Sequence, residues 1–237
     1  MTRNSFSSTA AALVAAEGST ADLTGPLLGF LAVDGASIST LGDFLGTETV
    51  AASDGVIARI DEIQFDLGEG PCWDAMASAR PILEPDLRRA PRHHWPAFSP
   101  AAEKEDVAAI FAFPLLIGPL RIGAIDLYAR EPGELGEETT SQTSRLASII
   151  SRNVLRRALL DGAAEPADRD AAPFSRRAVH QATGFVIAQC GVSAEDAHLL
   201  LQGHAYAEGR SMREVADDVL SGRLSFTADG WSIEEAR

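Results

Sequence analysis

The side chains in this chain best suited to chemistry gather in two places. Near the C-terminal end, Arg176, Arg177, Arg210 and Arg213 supply cations, His180 and His198 supply flat rings, and Thr183 and Gln202 supply polar edges. Such a set can read an unpaired RNA loop: cations hold phosphate, planes stack on bases, and amides or hydroxyls meet base edges. Charge alone favours a plainer reading, a solvated helix face. Residues 174–226 hold five arginines against six acids, and the whole 237-residue chain carries −14. A net charge of that sign argues against a general nucleic-acid coat.

The second group lies in the first half: Cys72, Trp73, Trp95, Phe98, Phe111 and Phe113. Cys72 follows Pro71 at an expected helix start, where the helix dipole lowers a thiol pKa, so it could serve redox chemistry or cofactor attachment. A small buried packing residue is the simpler reading. The aromatic residues either line a ligand pocket or fill the core, and the sequence leaves both open. His93 and His94 are adjacent and point apart on an extended chain. With no Cys, His and Asp set at metal spacing, they read as loop residues and no metal is expected. Asp126 and Glu69 are single carboxylates. No Ser-His-Asp order, P-loop, dinucleotide fingerprint or deaminase signature is present, so no enzyme is expected and no catalytic residue is assigned.

Length and composition allow one or two domains with true cores, since 46% of residues are hydrophobic. No apolar run reaches the length of a membrane span and no signal-type core follows Met1, so a soluble, cytoplasmic chain with no membrane partner is expected. Cys72 and Cys190 fall in different expected domains and suggest no disulfide framework. The elements that must position these residues begin with an Ala-rich helix from Phe6 to Glu17 and a second helical run from Leu23 to Val33. Strands at Gly35–Leu41 and Thr47–Ala52 form a hairpin across Gly42–Gly46. Val56–Phe65 returns to helical spacing. Gly68 and Gly70 allow a bend before Pro71 opens a further helix. A strand at Pro81–Leu87 enters the loop Arg88–Pro100. Val107–Ile117 and Leu120–Tyr128 are strands turned at Gly118-Pro119, apolar on both faces and so central. Glu137–Leu160 is a long helix with a broad apolar stripe.

This order predicts an α+β fold, an antiparallel sheet with packed helices. The segments Gly68-Glu69-Gly70-Pro71-Cys72, Pro81-Ile82-Leu83, Trp95-Pro96, Phe113-Pro114-Leu115 and Ile122-Gly123-Ala124-Ile125-Asp126-Leu127-Tyr128, in this order, resemble a GAF domain. The resemblance covers about residues 20–160, including the long helix, behind an N-terminal helical lead-in, 1–19. It implies sensing of an unidentified small-molecule ligand, with no other cofactor, or dimerisation.

Residues 161–173 read as a linker with two prolines. Beyond it, Phe174–Cys190 has helical spacing, with Ala178, Ala182, Phe185, Val186 and Ala188 read as its inner face. Gly191 stops it, and Ser193 with Asp196 three residues later starts the next helix. Ala197, Leu200, Leu201, His204 and Ala205 would face inward before Gly209. Ser211 with Glu214 starts a third, facing inward through Met212, Val215, Ala216 and Val219.

Arg177-x-x-x-x-Ala182-Thr183-Gly184-Phe185-Val186, Gly191-Val192-Ser193-x-x-Asp196-Ala197, Leu201-x-x-x-Ala205 and Met212-x-x-Val215-Ala216-x-x-Val219 resemble an ANTAR domain over residues 174–226. That family is a three-helix RNA-binding module of bacterial antitermination regulators. With the GAF resemblance it points to a GAF and ANTAR transcription antitermination regulator of the actinobacterial type. The resemblance implies a homodimer holding a pair of RNA stem-loops in leader transcripts, with no DNA partner. It gives RNA contacts to Arg176, Arg177, His180, Thr183, Gly184, His198, Gln202, Arg210 and Arg213. Gly184 is also read as a packing residue at a helix crossing. The chain departs from the family at Thr183, His198 and Gln202, where Lys, an aromatic and Arg are frequent. The alternative implied by those departures and the near-neutral charge is a ligand-sensing dimeric interaction protein whose module no longer binds RNA. The tail, 227–237, follows.

Overall fold

A computed structural model describes residues 3–16, 23–42, 44–91, 93–161, 176–227 and 233–235. The chain divides into two compact units, Met1–Phe174 and Ser175–Arg237.

The first unit is built on a five-stranded antiparallel sheet in the order β2-β1-β5-β4-β3. The strands are β1 (Gly35–Thr40), β2 (Glu48–Ala52), β3 (Ile82–Glu84), β4 (Ala109–Ile117) and β5 (Leu120–Ala129). The central pair turns at Gly118, whose φ of 56° suits glycine. Gly123 of β5 has a second reason to lack a side chain: a Cβ there would run into the Ser39 carbonyl of the adjacent strand. Alternation along the strands sends Ala36, Ile38, Phe111, Phe113, Ile125 and Leu127 into one cluster. That cluster is roofed by α1 (Phe6–Ala15), α2 (Gly25–Phe30) and α6 (Glu137–Asp161). Asn153 donates to the Leu13 carbonyl at 2.8 Å, and the Arg145 guanidinium lies 4.5 Å from the Phe6 ring centre, which ties α1 to α6. In α6 the hydroxyls of Thr143, Ser144, Ser148 and Ser151 donate to carbonyls four residues earlier, so these polar residues sit within the helix at little cost.

The opposite sheet face meets α3 (Gly55–Leu67), α4 (Pro71–Ser78) and α5 (Phe98–Lys104). Asp54 caps α3 by accepting from the Val56 and Ile57 amides at 2.8 and 3.1 Å. Gly68, at φ 60°, ends it. The α5 helix stands where the sequence suggested only loop. Pro100 lies in its first turn, where no amide donor is required, so the proline does not break the helix. The expected first-helix end at Glu17 and the linker beyond Asp161 lie outside the described residues.

The second unit holds α7 (Arg177–Cys190), α8 (Ala194–Glu208) and α9 (Met212–Leu220). Each start or stop follows from its cap. Gly191 and Gly209 adopt φ of 68° and 64°, the Ser193 hydroxyl accepts from the Asp196 amide at 3.0 Å, and Ser211 with Glu214 forms a full capping box. Val179, Ala182 and Val186 meet Ala197, Leu201, Ala205, Met212, Val215, Ala216 and Val219 in the core. The inner face of α7 is therefore rotated from the one expected. Val179 points in, while Phe185 is 51% exposed. β6 (Leu224–Phe226) pairs antiparallel with β7 (Ile233–Glu235), so residues 233–235 of the tail form part of the unit. Among the described residues, no helix is long and apolar enough to cross a membrane.

Candidate nucleic-acid interface

Four residues of α7 run in one line along its outer surface: Arg177, Gln181, Gly184 and Ala188, all exposed. Their spacing of four, three and four residues puts them on one helix face. Beside them, Phe185 and Leu220 of α9 complete an open groove of about 570 Å³ lined by Gln181, Gly184, Phe185, Ala188 and Leu220. A Cβ added at Gly184 would meet nothing within 4 Å. Reading Gly184 as a packing residue at a helix crossing is thus corrected. A mid-helix glycine costs about 1 kcal/mol relative to alanine, and no crowding at its Cβ position requires one here.

The flanks of this face come from the other two helices. His180 of α7 is near enough to His198 of α8 to act on its charge. Gln202 follows His198 by one turn and shares its flank. Arg213 is exposed on α9, seven residues before Leu220 and so on the same side as the groove. The structure thus brings Arg177, His180, Gly184, His198, Gln202 and Arg213 around one face. Three expected residues fall elsewhere. Arg176 precedes α7 and is only 7% exposed, so its guanidinium is not offered to solvent. The Thr183 hydroxyl donates to its own helix at the Val179 carbonyl, 2.8 Å away. Arg210 donates to Asp218 at 2.6 Å, and Asp218 lies across α9 from Leu220, because two residues turn a helix by about 200°. Phe185 and Gln181 were not expected here. The clue was weak: Phe185 and Val186 are adjacent apolar residues, and only one of them can face the core.

Burial, and to a lesser degree the nearby His180, hold the His198 pKa below the ordinary 6.5. The unfolded chain then binds more protons than the folded one below about pH 7, so stability falls as pH is lowered through the unfolded value of 6.5. Thermal melts of the full chain from pH 7.5 to 5 should show the C-terminal unit losing stability on acidification. His198→Gln should flatten that slope, and an unchanged slope would assign it to other groups.

In the first unit the residues considered for a ligand pocket do not converge. Phe111 and Phe113 lie in the cluster under α6, Trp95 and Phe98 in a second cluster against α3 and α5, and Cys72 and Trp73 in a third with Leu41 and Ala124. Cys72 is buried, which favours packing over thiol chemistry. Between the sheet and α3 and α4 runs a polar network instead. The Ser39 hydroxyl donates to Asp61 at 2.6 Å and the Thr49 hydroxyl donates to its other oxygen. Gln64 donates to Asp126 at 3.0 Å and accepts from the Cys72 amide at 2.9 Å, while the Trp73 indole donates to the Gln64 carbonyl at 2.8 Å. Glu69 accepts from the amides of Ala97 and Phe98 at 2.9 and 2.8 Å, anchoring the start of α5. Among the described residues no group of three or more His, Cys, Asp or Glu could hold a metal.

Sheet order and helix placement agree with family comparison, in which the GAF domain model matches residues 14–154. The chain belongs to the GAF domain family. Residues 169–220 match the ANTAR domain model, so the chain has the composition of a GAF plus ANTAR regulator. Both are regulatory rather than catalytic domains. No curated protein matches the sequence. Among solved structures, the GAF domain from a phosphoenolpyruvate-protein phosphotransferase of Coxiella burnetii is 17% identical with a TM-score of 0.51, covering 67% of this chain and 97% of that one. A domain of a two-component sensor histidine kinase from Sinorhizobium meliloti is 19% identical with a TM-score of 0.43, covering 67% and 93%. Free methionine-R-sulfoxide reductase from Neisseria meningitidis is 15% identical with a TM-score of 0.46, covering 65% and 89%. At such identities the likeness concerns the fold of the GAF unit.

Proposed function

We propose that this chain is a signal-responsive transcription antitermination regulator whose ANTAR unit binds RNA stem-loops through the outer face of α7. The observation that carries this reading is Gly184: a mid-helix glycine at which an added Cβ would meet open space, in line with Arg177 and beside the exposed Phe185. A missing side chain lets a backbone or base approach closely. An exposed aromatic ring offers a stacking plane, and flanking arginines meet phosphates. His180, His198, Gln202 and Arg213 border the same face. Recognition by a few placed side chains suits a unit with nearly balanced charge. In this reading the GAF unit receives the signal. Two copies pair through α6, whose last turn exposes Leu159 and Leu160, so that two ANTAR units hold two stem-loops and polymerase reads on.

The test is an electrophoretic mobility shift with a two-hairpin RNA. Arg177→Ala combined with Arg213→Ala should weaken binding about tenfold and make the slope of log affinity against log salt shallower by about 1.4, the share of two single-strand phosphate contacts. Retention equal to that of the unaltered chain at every salt concentration counts against the reading. It would favour an interaction unit that does not bind RNA.

A further inference from the structure

We infer that Arg210 and Arg223, gathered on Asp218, form a second phosphate-contacting point of the C-terminal unit, and that Asp218 restrains its strength. The inference rests on the RNA-binding reading above. Each guanidinium takes its own oxygen of the carboxylate: Arg210 Nη2 lies 2.6 Å from Asp218 Oδ2, and Arg223 Nη2 and Nε lie 2.5 and 2.7 Å from Oδ1. The two arginines come from the turns after α8 and after α9. The Arg223 amide donates to the Asp218 carbonyl and the Arg210 amide to the Ala205 carbonyl, both at 2.9 Å, so both residues are fixed at their roots, and Arg210 Nη2 also donates to the Glu214 carbonyl at 3.2 Å.

The layering of the cluster points outward. The Asp218 side chain is 18% exposed, whereas those of Arg210 and Arg223 are 36% and 62% exposed. Cations therefore face solvent with their shared anion behind them. Ion pairs described in the first unit have another balance: Arg59 meets both Glu62 and Glu105, Arg89 meets Asp86, and Arg130 meets Asp106. Two guanidiniums share the one carboxylate that both touch, while Glu214 and Glu208 act on Arg210 only from further away, and an arginine has donors to spare for phosphate oxygens. The cluster lies across α9 from the α7 groove. A contact there would grip the backbone of a stem whose loop occupies the groove, because backbone contacts set position while base contacts specify. Asp218 and a phosphate compete for the same guanidiniums.

The experiment titrates the full chain with the two-hairpin RNA across a salt series. Arg223→Ala should weaken binding threefold to tenfold and make the salt slope shallower by about 0.9, the share of one duplex phosphate contact. Asp218→Asn should tighten binding several-fold and steepen the slope. Unchanged affinity and slope for Arg223→Ala overturn the inference, as does weaker binding by a folded Asp218→Asn chain. If Asp218→Asn does not fold, Arg223→Ala decides alone. Loss of binding on changing Arg177 and Arg213, with none on changing Arg223, removes this inference and leaves the RNA-binding reading standing. If neither the unaltered chain nor Asp218→Asn retains RNA, both fall together.

Discussion

Replacing Gly184 with glutamate is expected to weaken RNA retention by about a hundredfold while leaving the C-terminal unit folded. The two halves of this result come from different links in the chain from sequence to function. For folding, glutamate is a better helix former than glycine by roughly 0.5–1 kcal/mol, and the added Cβ meets no atom within 4 Å. The melting temperature should hold or rise. For binding, the new carboxylate stands midway along the line Arg177, Gln181, Gly184 and Ala188. There it fills the approach to the groove and sets a negative charge against phosphate. A hundredfold loss corresponds to about 2.8 kcal/mol, within reach of one unpaired charge forced against an anionic ligand. Gly184→Ala separates bulk from charge: it should also stabilise the helix and should weaken binding less. Mobility shifts beside thermal melts of the same preparations make the check. Normal RNA binding by a folded Gly184→Glu chain would move the interface away from the outer face of α7.

Local signals carried much of this architecture into the sequence, and long-range pairing carried the rest out of sight. The caps at Ser193, Ser211, Gly191 and Gly209 act within a few residues, so the bounds of α8 and α9 could be read directly. The hairpin at Gly118-Pro119 was legible for the same reason. Side-chain direction was harder. Phe111 and Phe113 share a face of β4 by parity, but parity does not say which sheet face carries α6. Helical spacing groups Phe185 with Ala178, Ala182, Val186 and Ala188, yet the α7 core is made by Val179, Ala182 and Val186, and Phe185 lies outside that stripe. Most hidden were contacts set by tertiary approach. Arg210 meets Asp218 across a turn, and Gln64 meets Asp126 across 62 positions. No periodicity marks either pair. The first sets Arg210 apart from the α7 face, and the second builds a hydrogen-bonded layer between sheet and helices.

That layer makes Gln64→Ala the most damaging substitution expected in the GAF unit. Gln64 is fully buried and uses both ends of its amide, donating to Asp126, itself 1% exposed, and accepting from the Cys72 amide. A Cβ added at Gly70 would press on the Gln64 side chain, so the amide also fills its space tightly. Truncation withdraws a donor from a buried carboxylate, strips an acceptor from a buried amide at the start of α4, and opens a cavity. Leaving a buried polar group unsatisfied costs roughly 1–3 kcal/mol, and the cavity left by the missing side chain adds to it. A loss of about 3–4 kcal/mol follows, a large part of the stability of an ordinary domain. Urea denaturation followed by tryptophan emission reports this unit directly, since Trp73 and Trp95 belong to it and a Trp231→Phe background removes the tail's contribution. Asp126→Ala tests the mechanism. With that acceptor gone, truncating Gln64 breaks one hydrogen bond fewer, so adding Gln64→Ala should cost markedly less than it does alone. Equal costs in the two backgrounds would mean that the damage comes from the cavity and not from the lost hydrogen bond to Asp126.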